Sequence, residues 1–373
     1  MNPSFALIPT AMCTAWTVLG TVALLDVARG PRPAVRREDL PPVSVLKPLC
    51  GADPSLEDNL ATFFTQDHPD YELLFGVERD DDPALAVVEQ LRERFPDVRV
   101  TVVVSRAEGQ NPKVRNLRGM LPHAAHDLVL VSDSNVRAPS RYLSTMAALR
   151  AEDPSVGLVT NVFVGSGGSG AGSALEAVQL AGFCAAGVAL PTALGDAAVV
   201  GKSMLLSRAE LDSLGGLARV ADVLAEDYVL GKMFQHAGRR VVVAPVVLEN
   251  VLGHVTLRAF VDRHLRWSMM RFRLRPFAYL LEPLTAPLAV LPFAWAVMGE
   301  WALAWALATL FVRDVVPSLA LRGVRELHRP MLYGWFREAV VLGVWFAGLF
   351  KRHASWRGHR VRVGAGTMLY MER

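Results

Sequence analysis

From Phe5 to Leu25 the chain carries no charged side chain. A run of about 20 such residues is long enough to cross the hydrocarbon core of a bilayer as a helix. It is longer than the apolar core of a secretory signal, and no basic segment precedes it, so it reads as a retained anchor. Asp26 ends the run, and Arg29, Arg32, Arg36 and Arg37 come after it. Basic residues beside a span favour its cytoplasmic side, which places residues 27 onward in the cytoplasm. The C-terminal third is apolar again. Residues 277–298 and 301–321 read as two helices meeting at Gly299 and Glu300. A single span over 288–312 would instead bury Glu300 at a cost of about a few kcal/mol. Residues 331–350 are apolar but contain Arg337 and Glu338, which suits a segment lying along or re-entering the membrane. The tail, 351–373, is basic and expected to be cytoplasmic. Hydrophobic residues make up 52% of the chain, and the excess sits at these two ends. That leaves 41–275 as a soluble-type domain between an anchor at 5–25 and a membrane-associated region at 277–350.

Net charge is +3, too little for a polyanion binder, so no nucleic-acid partner is expected. The basic residues are local: the set after the anchor, and Arg258, Arg263, Arg266, Arg271, Arg273 and Arg275. Cys13, Cys50 and Cys184 are widely spaced and form neither a metal-ligand pattern nor a disulfide framework. A reducing compartment fits.

Between the apolar ends, strands alternate with helices. Residues 43–47, 71–77, 98–104 and 127–131 read as strands. Residues 56–66, 84–95 and 116–125 carry helical spacing. This alternation implies βαβ units and a mainly parallel α/β sheet. Ligands on such sheets bind at the carboxyl ends of the strands. Two acidic turns fall there, Asp80-Asp81-Asp82 and Asp133-Ser134-Asn135. Taken singly, the first reads as a helix N-terminus and the second as an Asx turn. Glu226-Asp227 reads as helix surface, and Arg263 to Trp267 as a basic amphipathic stretch. The glycine-rich run 165–172 reads either as a surface linker or as a mobile loop near the site. Residues 195–203 match G-x-x-x-x-G-K-S formally. However, Met204-Leu205-Leu206 stands where a Walker loop needs a helix, so a phosphate loop is rejected.

The ordered set of motifs resembles the ceramide glucosyltransferases and their bacterial relatives, including hopanoid-type lipid glycosyltransferases. It runs through Ser44 to Gly51, Leu56 to Leu60, Gln66 to Pro69, Phe75 to Val77 with Asp81 to Ala84, and Gly109 to Lys113. It continues through Val131 to Ser134, Val156 to Thr160, Leu224 to Tyr228 and Arg263 to Trp267. The resemblance covers about residues 5–365 and implies a GT-A domain. It implies transfer of a sugar, with inversion, from a nucleotide sugar such as UDP-glucose or UDP-N-acetylglucosamine to a membrane lipid hydroxyl. It also implies a multi-pass protein of the cell inner membrane with its catalytic domain in the cytoplasm. By position in these motifs, Asp81 and its neighbour Asp82 seat the nucleotide, and Lys113 and Asp133 face the diphosphate. Asp133 and Asn135 hold a divalent cation, Mg²⁺ or Mn²⁺, and Asp227 is the general base. Arg263, Arg266 and Trp267 line the acceptor and diphosphate side. Two departures bear on this. Asn135 stands where a second carboxylate is common, leaving one charge fewer for the metal. Phe183-Cys184 stands where the eukaryotic enzymes carry a histidine, which loosens the case for ceramide as acceptor. A polysaccharide synthase and a non-catalytic membrane scaffold are the rival readings. Few apolar segments remain for a channel in the first, and the retained acidic set argues against the second.

Overall fold

The computed structural model describes all residues except 1–2, 31–32, 54, 357–358 and 372–373. Arg32 of the basic run therefore lies outside the described residues. The chain opens on helix α1 (Pro3–Arg29) and divides into two compact units. One comprises residues 29–163 and 191–253, the other 1–28, 164–190 and 254–373.

The first unit begins β1 (Val43–Pro48), α2 (Leu56–Phe64), β2 (Tyr71–Val77), α3 (Ala84–Arg94) and β3 (Arg99–Val104). It continues α4 (Pro112–Met120), β4 (Leu128–Ser132), β5 (Val136–Arg137), α5 (Tyr142–Glu152) and β6 (Val156–Thr160). A strand β7 (Phe163–Ser166) and helices α6 (Ala171–Gln179) and α7 (Ala185–Ala193) come next in the chain. The unit resumes with β8 (Ser203–Ser207), α8 (Arg208–Ser213), α9 (Glu226–His236), β9 (Arg240–Val243) and β10 (Leu248–Val251). Seven strands form one sheet in the order β3-β2-β1-β4-β8-β6-β9. Strands β3, β2, β1 and β4 run parallel, with Val43 opposite both Tyr71 and Leu128. Strand β8 is antiparallel to β4 and β6. Every residue of β1 and β4 is buried, as expected for strands covered on both faces. Leu46, Leu74, Val129 and Val131 meet Val114, Leu117 and Met120 of α4 in the core.

The four expected strands are present within a residue or so of their expected ends. Helix α4 is not where the spacing placed it. It starts at Pro112 rather than 116, because Asn111 caps it by accepting from the amides of Lys113 and Val114, and Pro112 takes the first turn. The consequence is functional, since Lys113 moves from a loop into the first turn of a helix.

The second unit holds α1, α6 and the C-terminal third. Helix α10 (Leu257–Leu274) leads to α11 (Pro276–Leu281), α12 (Pro287–Met298), α13 (Trp301–Leu310), α14 (Val316–Arg322) and α15 (His328–Gly348). Three short strands, β11 (His353–Trp356), β12 (His359–Val363) and β13 (Leu369–Met371), pair antiparallel at the end. Among the described residues, three helical stretches are long and apolar enough to cross a membrane: Phe5–Arg29, Ala171–Ala193 and Trp301–Arg322. The pair Pro276–Thr285 and Pro287–Met298, bent by 60°, would make a fourth.

The turn at Gly299, with φ +57°, separates two helices as expected and leaves no single span over 288–312. Residues 277–298 are not one helix. The chain breaks ahead of Pro287, which lacks the N–H a continuing helix needs. The stretch 171–193, not singled out from its composition, is one apolar helical run interrupted by a π-type turn at Leu180–Cys184. The glycine-rich run leads straight into it. A β-carbon on Gly172 would lie 2.2 Å from the Thr256 carbonyl oxygen, so this end of the run is packed rather than a free linker.

Residues Arg337 and Glu338 are buried within this unit. Arg313 lies 3.1 Å from Asp314, and Arg337 lies 2.5 Å from Asp314 and 3.1 Å from the Gln179 amide oxygen. Arg313 also pairs with Glu338, which accepts from the Leu288 amide at 3.0 Å. Charges in an apolar helix are tolerated when they pair with each other in this way.

Candidate active site

The carboxyl ends of β1, β2 and β4 lie side by side, and the segments leaving them carry the candidate residues. Beyond β2, Asp81 is exposed and pairs with Arg79 at 2.5 Å. Its carboxyl is held below the usual range, chiefly by that hydrogen-bonded guanidinium. Asp82 is committed to the backbone. It accepts from the Gly51 amide at 3.0 Å and the Ala84 amide at 2.9 Å, tying the end of β1 to the start of α3. Of the two, Asp81 is the more exposed.

Beyond β4, Asp133 meets three lysines. Lys113 Nζ is 3.0 Å from Asp133 Oδ1, and Lys202 Nζ is 3.5 Å from Oδ2. Lys47, fully enclosed on β1, donates to the Asp133 carbonyl oxygen at 2.9 Å and stacks 3.3 Å from the Phe63 ring centre. Burial alone would raise the Asp133 carboxyl, but Lys113, Lys202 and Lys47 together bring it down to about 2. Burial pulls Lys47 the other way, well below the ordinary lysine value, with Asp133 opposing.

Lys113 joins this group to the start of α9. Its ammonium also contacts Glu226 Oε1 at 3.2 Å and the Gly201 carbonyl at 2.6 Å. Burial works to lower its pKa, but Asp133, Glu226 and Asp227 outweigh that and hold it charged. Asp227 Oδ2 accepts from the Gly201 amide at 2.7 Å, and Oδ1 accepts from Tyr228 at 2.8 Å. Burial raises the Asp227 carboxyl, against Lys113 and the two amides. Burial pushes Glu226 up to about 7, with Lys113 opposing and Asp227 adding to the rise. Asn111 supports this corner by donating to Glu226 Oε2 at 3.2 Å and to the Val223 carbonyl at 2.8 Å.

Gly201 sits against the ends of the Lys113, Glu226 and Asp227 side chains. A β-carbon there would lie 2.7 Å from Lys113 Nζ and 3.1 Å from Asp227 Oδ2. The pair Gly201-Lys202 therefore belongs to the cluster, although the formal Walker match around it does not hold: β8, not a helix, comes next. Sequence reasoning passed over Lys47, Gly201 and Lys202 as site residues, and held Glu226 only as the next candidate base after Asp227. The rejected G-K-S match was the one local signal for two of them.

Asn135 Oδ1 accepts from Lys202 Nζ at 3.0 Å. Asp133 and Asn135 thus present a carboxylate and an amide oxygen side by side. Both are hard donors, and the pair fits Mg²⁺ or Mn²⁺ when diphosphate oxygens complete the shell. Among the described residues, no three His, Cys, Asp or Glu side chains converge to hold a metal by themselves.

The remaining candidates lie on α10, in the other unit. There Arg263 Nη1 is 3.1 Å and His264 Nε2 3.0 Å from the carboxylate of Glu176, which is fully buried on α6. The His264 ring meets Trp267 edge to face at 4.9 Å. Arg266 and Trp267 are partly buried on the same helix. Glu176 was not among the candidates. A single acid inside the apolar run 171–193 was the available signal, since such a residue needs a partner.

A parallel-led α/β sheet with carboxylates and lysines at its strand ends is a GT-A-like transferase architecture. The chain belongs to glycosyl transferase family 21, whose model matches residues 6–369. It is 30% identical over 255 residues to ceramide glucosyltransferase 3 of Caenorhabditis elegans, covering 66% of this chain and 54% of that protein. It is 24% identical over 417 residues to the ceramide glucosyltransferase of Komagataella phaffii, covering 86% and 82%. The chain thus spans about half the length of the nematode relatives it matches, 54% and 53%. Among solved structures it resembles the mannosyltransferase PcManGT of Pyrobaculum calidifontis, in complex with GDP-Man and Mn²⁺. That likeness has a TM-score of 0.54 at 20% identity and covers 94% of this chain and 99% of that one. It supports the fold assignment.

Proposed function

We propose that this chain transfers a sugar from a nucleotide sugar, UDP-glucose or UDP-N-acetylglucosamine, to a lipid hydroxyl of the ceramide or hopanoid type at the cytoplasmic face of the cell inner membrane. The observation that carries this reading is the junction of Lys113, Asp133, Glu226 and Asp227 at the strand ends. A departing diphosphate needs cationic neutralisation, and an acceptor hydroxyl needs a base. This cluster contains both kinds of group. Asp81 seats the nucleotide, with Asp82 fixing the turn that carries it, and Lys113 neutralises the diphosphate. Asp133 and Asn135 would hold a divalent cation, which when bound supplies further charge neutralisation to the leaving group. Asp227 takes the proton as the acceptor oxygen attacks the anomeric carbon and the sugar–phosphate bond breaks. A single displacement of this kind inverts the anomeric centre. Burial that raises the Asp227 carboxyl makes it a better base. Arg263, Arg266 and Trp267 serve the acceptor and diphosphate side.

The same reading takes 5–25 as anchor, 41–275 as the catalytic domain, 277–350 as membrane-associated and 351–373 as a cytoplasmic tail. The deciding experiment supplies detergent-purified full-length protein with each donor, Mn²⁺ or Mg²⁺, and ceramide or hopanoid acceptor. Mass spectrometry then reads the lipid products. A hexosyl- or N-acetylhexosaminyl-lipid made by the wild type and not by Asp227→Asn is the expected result. No glycolipid from any donor–acceptor pair would count against it. Cysteine labelling of Gly109→Cys in intact cells tests the orientation, and labelling from outside would overturn it.

A further inference from the structure

The three lysines around Asp133 are held differently. Lys47 is enclosed and turned to the main-chain oxygen. Lys113 is pinned by Asp133, Glu226 and the Gly201 carbonyl at 2.6–3.2 Å. Lys202 instead reaches Asn135 Oδ1 at 3.0 Å and Asp133 Oδ2 at 3.5 Å, with the Phe163 ring 5.8 Å away. Those two oxygens are the pair assigned above to the divalent cation. A hard cation takes its oxygens at about 2.0–2.2 Å. An ammonium lying against the same two atoms fills that position and repels a second cation.

We propose that Lys202 is a tethered cation that occupies the divalent-cation position between Asp133 and Asn135 until a nucleoside diphosphate arrives, and then swings its ammonium over to pair with the diphosphate. The proposal rests on the assignment of the metal to Asp133 and Asn135 made under Proposed function.

The charges support this order of events. Three lysines, Lys47, Lys113 and Lys202, converge on Asp133, the one carboxylate of the pair assigned to the metal. A divalent cation arriving alone would enter beside Lys202 with no anion to offset it. A diphosphate arriving with the cation brings several negative charges and a new set of acceptors. Lysine suits the exchange, because its charge is compact and rides on a flexible four-carbon stem. Metal and nucleotide should then bind cooperatively, each raising the affinity of the other by the same factor.

Mn²⁺ binding, monitored by loss of the free-ion electron paramagnetic resonance signal, tests this on the detergent-purified full chain. Wild type, Lys202→Met, Lys202→Arg and Asp133→Ala are each titrated with Mn²⁺, with and without UDP. Without UDP, Lys202→Met should bind Mn²⁺ at least about tenfold more tightly than wild type, since a like charge a few ångströms away is gone. Lys202→Arg should stay weak like wild type. UDP should raise the Mn²⁺ affinity of wild type more than that of Lys202→Met. If Lys202→Met matches wild type without UDP while Asp133→Ala loses Mn²⁺–UDP binding, the tethered-cation proposal fails and the metal assignment stands. If Asp133→Ala keeps wild-type Mn²⁺–UDP binding, the metal assignment fails and the proposal falls with it.

Discussion

Each unit contains a cluster of lysines or arginines with carboxylates, and the two clusters differ in how far they are closed. Around Arg337, the side chains of Arg337, Asp314, Arg313 and Glu338 are 2%, 1%, 6% and 2% exposed. Around Lys113, the lysine is 12% exposed but Asp133 keeps 28% of its surface. The charges of the first cluster lie out of solvent and pair with one another, joining the turn Phe311–Val315 to α15. The second leaves a carboxylate open at the strand ends, where a ligand can exchange for a lysine. Ion pairing alone does not mark a functional site; a paired charge with a remaining open side does.

The comparison can be broken most decisively at Asp227. Asp227→Asn should lower single-turnover transfer by about 10²–10⁴-fold, the usual loss for a general base, while calorimetric UDP affinity stays near wild type. Loss of UDP binding with normal transfer at saturating donor would move the base elsewhere, to Glu226 first.

Arg337→Met tests the closed cluster. Removing one partner strands Asp314 without one of its two arginines, and breaking a buried pair costs about 3–5 kcal/mol. The variant should melt well below wild type in detergent. Adding Asp314→Leu should recover part of the loss. If Arg337→Met is as stable as wild type, the closed cluster is not structural and the contrast between the units disappears.

A smaller effect is expected from Glu226. Its carboxyl is raised to about 7 in the folded chain, above the ordinary value of about 4.3. Between those values the folded chain keeps a proton that the unfolded chain has released. Stability from this group is therefore present at low pH and is lost as pH rises through about 7, by on the order of 1 kcal/mol per pH unit. Melting curves of ligand-free wild type minus Glu226→Gln, taken from pH 5 to 8, should slope downward. A flat difference would place Glu226 among fully ionised groups.

The smallest changes are expected at the rim. Asn135→Asp should tighten Mn²⁺ binding by adding a carboxylate to the pair without abolishing transfer, whereas Asp133→Asn should lose most activity. Equal tolerance of both would remove the metal from this turn. Asp81→Asn should weaken UDP binding first and leave the melting temperature unchanged, since the carboxylate lies in solvent beside Arg79.

Local pattern was enough for much of this protein. Apolar runs placed α1, and short hydrophobic stretches ending in turns placed the four parallel strands; in β1, β2 and β4 burial on both faces imposes that composition directly. The acidic turns at the strand ends were legible for the same reason: ligands and strand ends are tied by topology. Local pattern could not supply pairing across long separations. Lys113 meets the Gly201 carbonyl 88 positions away, and Lys202 meets Asn135 67 positions away. Glu176 and His264 are 88 apart. A side chain's periodicity reports which face it lies on, not which distant charge it meets. Arg337 and Glu338 therefore looked like interruptions in an apolar segment, and Gly201-Lys202 like a failed phosphate loop. Their partners were fixed only when the sheet brought β4 beside β8 and the helices of the second unit packed, because a charge removed from water must find its counter-charge wherever the fold delivers one.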